Sequence, residues 1–77
     1  MARQNVPGKV IKAARSIAVL SQKDLAAMAQ CSCQAIARLE AFGHEPVQCT
    51  GPTMLTITAA LAAHGVEFDA RGARIAA

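Results

Sequence analysis

Between residues 10 and 18 the apolar positions Val10, Ile11, Ala14, Ile17 and Ala18 recur at three- and four-residue intervals, the stripe of a helix buried along one side. Lys9, Lys12 and Ser16 fall mainly off that stripe, and Arg15 lies on its border. Ser21 is a good N-cap, and Asp24 three residues later complements the positive end of a helix, so a second helix is predicted over residues 22–29. It should bury Leu25, Met28 and Ala29. Ser32 is the next cap, and a third helix is predicted from Cys33 to Ala41 or Phe42, with Ile36 and Leu39 inward. Cys33, Gln34, Ala37, Arg38 and Ala41 then fall on its outer side, and Gly43 can end it in a left-handed conformation.

Residues 44–51, with Pro46 and Gly51, read as a loop. A fourth helix is predicted from about Pro52 to His64, burying Met54, Leu55, Ile57, Leu61 and Ala62. After Gly65 the alternation of Val66, Glu67 and Phe68 is that of a strand, residues 69–72 can turn, and residues 73–75 can return. The expected fold is therefore mainly α: four helices with a short C-terminal β-hairpin or strand. Residues 1–8 read as a flexible basic arm, and residues 9–77 as one domain whose strand segment begins near 66.

The densest signal is Leu20-Ser21-Gln22-Lys23-Asp24-Leu25-Ala26, continued through Cys31-Ser32-Cys33-Gln34-Ala35-Ile36 to Arg38-Leu39-Glu40. It specifies two short capped helices joined by a tight turn, the second presenting small and hydrogen-bonding side chains outward. A B-DNA major groove admits one such helix, and Gln and Arg can read base edges there. Charge supports a polyanionic partner. Net charge is +3, and Arg3, Lys9, Lys12, Arg15 and Lys23 all precede the first acidic residue, Asp24.

Cys31, Cys33 and Cys49 are odd in number, unlike a secreted disulfide framework, and no stretch has the length of a membrane span. With Lys12 and Arg15 interrupting the early apolar residues, no signal peptide is read, and the chain is expected to be cytoplasmic. The C-x-C spacing does not match common zinc motifs, so no metal or other cofactor is expected. No catalytic triad, phosphate loop or carboxylate pair is present, so the chain is not read as an enzyme.

The run LSQKDLA, followed by the capped pattern of Ser32, Ile36 and Glu40, resembles the Xre/Cro family of phage-repressor-like helix-turn-helix proteins, over roughly residues 9–68. The resemblance implies a phage-repressor-like bundle and a bacterial or phage origin. It also implies sequence-specific binding of a double-stranded DNA operator by a homodimeric transcriptional regulator, more readily a repressor. Carried over by position, Cys33, Gln34 and Arg38 would read bases, while Gln22 and Ser32 would hold the DNA backbone. The cations Arg3, Lys9 and Lys12 are assigned to the backbone as well. Arg15 and Glu40 would form a structural ion pair. The sequence departs from the family at Gln30, where the tight turn usually has Gly, so Gln30 must take a positive φ or the turn must differ. A two-stranded hairpin is marginal alone, so Val66, Phe68 and Ile75 are assigned to a dimer contact. Two other classes stay open: an antitoxin-type protein-interaction module, and a thiol- or metal-dependent sensor using the cysteines.

Overall fold

The first helix, α1 (Gly8–Ile17), begins where Pro7 holds the backbone extended, with no side-chain cap. Its opening amides instead find partners in the chain after the third helix: Gly8 N–H donates to the Glu45 carbonyl at 3.2 Å and Lys9 N–H to the Gly43 carbonyl at 2.8 Å. Gly8 makes this approach possible. A Cβ there would collide with the Leu39 carbonyl oxygen and lie 2.9 Å from the Gly43 nitrogen. In this computed structural model, which describes the backbone of residues 2–76 and the side chains of residues 4–76, α1 therefore starts directly on the end of α3 (Cys33–Glu40).

Between them lies α2 (Gln22–Met28), capped by Ser21 as the sequence predicts, and the cap is reciprocal. Asp24 N–H donates to Ser21 Oγ at 2.9 Å, and Ser21 N–H donates to Asp24 Oδ2 at 3.2 Å. That backbone donor holds the Asp24 carboxyl below its ordinary range. In α3 the Ser32 hydroxyl accepts from Ala35 N–H at 3.0 Å. The turn between the two helices is achieved with Gln30 at φ 58°, the first of the two outcomes the sequence left open. A fourth helix, α4 (Gly51–Ala62), is capped by Thr50, with Pro52 in its first turn.

Two small antiparallel sheets complete the fold. β3 (Val66–Asp69) and β4 (Gly72–Ile75) form the predicted hairpin, with Val66 opposite Ile75. Asp69 closes its turn by accepting from the Arg71 and Gly72 amides at 2.8 and 3.3 Å. The other sheet corrects the sequence reading twice. Residues expected to be a free arm form β1 (Ala2–Pro7), and four residues of the expected 44–51 loop form β2 (Pro46–Cys49). They pair with Ala2 opposite Cys49, Arg3 opposite Gln48 and Pro7 opposite Pro46. The ribbon forms because alternate residues of β2, Val47 and Cys49, are buried in the core, while Val6 packs on it from β1.

The core joins Ile11 and Ala14 of α1 to Leu25, Ala26 and Ala29, then to Ile36 and Leu39, and finally to Ile57, Ala60, Leu61 and Val66. Several residues assigned to it by periodicity point out instead: Ile17 and Met28 sit at its margin, Ala62 is exposed, and Leu55 is 70% exposed. Ala26 and Ala60 take inward positions. Among the described residues no helix is long and apolar enough to cross a membrane.

Candidate nucleic-acid interface

The α2–turn–α3 unit is fixed from below by a hydrogen-bonded network. Arg15, at the end of α1, donates Nε to Glu40 Oε2 at 2.6 Å and Nη2 to Oε1 at 3.2 Å. Its remaining arm, Nη1, donates to the Leu20 carbonyl at 2.8 Å. The Glu40 side chain is 4% exposed and that of Arg15 15%. The Glu40 hydrogen bond raises the guanidinium pKa, with burial opposing. The predicted ion pair is present, and it joins α1, the turn before α2, and α3.

Gln22 adds a third contact that sequence reasoning missed. Its Nε2 donates to Glu40 Oε1 at 3.0 Å. An amide nitrogen carries two hydrogens, so one N–H of Gln22 is still available to a phosphate. Nothing in the local sequence signals this bond. It depends on how closely the start of α2 approaches the end of α3.

Above this network, α3 presents Ser32, Gln34 and Arg38 around a shallow open depression, with Ala35 between them. Gln34 and Arg38 are four residues apart and share a helix face. Cys33, Gln34 and Arg38 are all exposed. Ser32 uses its oxygen as the cap acceptor, which leaves the hydroxyl proton free to donate. Among the described residues, Arg38, Lys9 and Lys12 have no acidic partner within ion-pair distance. Lys9 and Lys12 are exposed on α1. The backbone bond from Lys9 to Gly43 places the start of that helix beside the C-terminal end of α3, away from Gln34. The side chain of Arg3 lies outside the described residues.

A further cation, Arg74 of β4, is partly neutralised. Arg74 reaches Asp69 at 3.1 Å and Glu67 at 3.8 Å, all of them exposed. The dimer contact assigned to the hairpin needs correction. Val66 is 2% exposed, and Phe68 packs half-buried on the core, because β3 and β4 lie across α1 and close off its apolar side. Only Ile75, 75% exposed, is open to a partner.

All three cysteines are free: Cys33 exposed, Cys31 half-buried and Cys49 buried. Burial pushes the thiols of Cys31 and Cys49 up. No cluster of three or more His, Cys, Asp or Glu side chains able to hold a metal ion occurs among the described residues. No model of a known protein family matches the chain, and no curated protein matches it.

Proposed function

We propose that this chain is a sequence-specific DNA-binding regulator of the phage-repressor-like helix-turn-helix kind, binding its operator as a dimer and repressing by occupying it. One observation carries the reading. Two short, separately capped helices meet through a tight turn, and the second presents Gln34 and Arg38 on one exposed face, where neither has an acidic partner among the described residues. Gln can pair with adenine N6 and N7, and Arg with guanine O6 and N7, each contact discriminating by about 1–3 kcal/mol. Gln22, Ser32, Lys9 and Lys12 supply the donors and cations that a phosphate backbone requires.

Selection of bound duplexes from a random pool, followed by titrations over several salt concentrations, tests the proposal. Arg38→Ala should relax base preference at one symmetric pair of operator positions. Lys12→Ala should weaken all sequences alike and reduce the salt slope by about 0.9. Failure to select any sequence refutes the proposal. So does an Arg38→Ala variant that keeps both affinity and base preference.

A further inference from the structure

We infer that Glu40 is a positioning residue for contact with the DNA backbone: its carboxylate decides which end of the Gln22 amide a phosphate meets. This rests on the DNA-binding reading above, and Glu40 itself, 4% exposed, is too buried to touch DNA. Gln22 opens α2 and is half-buried. Its Nε2 donates to Glu40 Oε1 at 3.0 Å. A carboxylate only accepts, so it holds the nitrogen end of an amide and not the oxygen end. A reversed amide would set oxygen against oxygen. The two N–H bonds of a planar amide diverge, so the one held on Glu40 turns its partner away from the carboxylate. A phosphate oxygen also only accepts, and that second N–H is the group it needs.

The carboxylate can act this way because it is itself held fixed. It follows Leu39 of the core, and Arg15 binds both its oxygens, Nε on Oε2 at 2.6 Å and Nη2 on Oε1 at 3.2 Å. The same guanidinium donates Nη1 to the Leu20 carbonyl at 2.8 Å, two residues before Gln22. One cation thus anchors the backbone entering α2 and, through Glu40, the side chain of its first residue. An unanchored glutamine would turn freely and present oxygen or nitrogen to the phosphate. Ordering it on binding weakens affinity by the cost of one immobilised side chain, about two- to tenfold for each copy bound. Lys9 and Lys12 need no such anchor, because an ammonium attracts a phosphate from any side. A neutral amide has to be aimed.

The test replaces each phosphate of a selected operator in turn by a neutral methylphosphonate and reads the loss of affinity. Gln22→Met keeps the side chain's length without its amide. It should abolish the loss at one phosphate and so identify the one that Gln22 holds. Arg15→Met combined with Glu40→Gln removes one charge of each sign, so net charge stays +3, and circular dichroism shows whether the pair variant folds. It should bind about two- to tenfold more weakly, blunt the interference at that same phosphate, and keep the base preference and the salt slope. A loss of stability alone would not single out one phosphate. In the unaltered free chain, one side-chain amide proton of Gln22 should resonate downfield of free glutamine amides in a nuclear magnetic resonance spectrum. That readout needs no variant, so it decides the point even where the pair variant fails to fold. A pair variant with full interference at the Gln22 phosphate overturns the inference. So does a Gln22→Met protein with an unchanged interference pattern, or a Gln22 amide at the free position. Each of these leaves the DNA reading standing, whereas a chain that selects no operator refutes both.

Discussion

Val19 occupies a backbone conformation that a β-branched residue rarely adopts. α1 ends in a turn where Val19 N–H donates to the Ser16 carbonyl at 3.0 Å and Leu20 N–H reaches back to the Arg15 carbonyl at 3.1 Å. That geometry requires φ 58° at Val19. The left-handed region costs an L-residue about 1–2 kcal/mol, and branching at Cβ places Val at the upper end. Its side chain recovers almost nothing, since the residue is 88% exposed. Val19→Gly removes the strain but adds freedom to the unfolded chain, which costs about 0.4–1 kcal/mol. The net expectation is a gain of about 1–1.6 kcal/mol. For a chain of this size, 1 kcal/mol moves the midpoint by about 4–8 °C, so the melting temperature should rise by roughly 4–13 °C. Thermal unfolding followed by circular dichroism measures it, with Val19→Ala as the control that keeps the left-handed penalty and should recover less than half. A Val19→Gly protein that melts at or below the parent temperature refutes the reasoning: the strain would then be absent, or the exposed valine would hold something in place.

Removing either partner of the Arg15–Glu40 pair should cost about 3–5 kcal/mol, because the other charge stays largely buried. In urea denaturation, Arg15→Met with Glu40→Gln should cost clearly less than the sum of the two single variants, and additivity would sink the coupling. Gly8→Ala should destabilise by about 1–3 kcal/mol, since the new Cβ meets backbone of α3 and its following turn, which must shift. An unchanged denaturation midpoint for Gly8→Ala would mean that α1 does not start on the end of α3.

Legibility in the sequence followed the range of the interactions. Caps act within one helical turn, so Ser21, Asp24 and Ser32 marked their helix starts correctly. The hairpin was equally readable, because Gly65 and the Asp69–Gly72 turn bound its alternation. Gln30 was legible as a conflict between residue type and turn. The β1–β2 ribbon was not legible. Its strands are short, carry Asn5, Pro7 and Pro46, and form only by meeting across the chain. α4 misled for another reason. It is apolar nearly all round, so periodicity could not decide that Ala60 faces in while Leu55 and Ala62 face out. At the site, Arg15, Glu40 and the outer residues of α3 were recognisable from pattern and resemblance. The bond from Gln22 was not, because it depends on tertiary approach. Val66 and Phe68 of the hairpin looked like partner contacts because the packing of the hairpin against α1 could not be seen in the sequence.

The pairing of Ala2 with Cys49 encloses α1, α2 and α3 within one long loop. Helices and their caps can form from residues close together in the chain, whereas β1 has nothing to pair with until β2, on the far side of three helices, is in place. β1 is therefore expected to be placed late, tying down a helical unit already assembled. Loop closure of that kind costs entropy that only a finished core can offset. β1 is expected to act as a late clasp across the three helices, outside the folding nucleus.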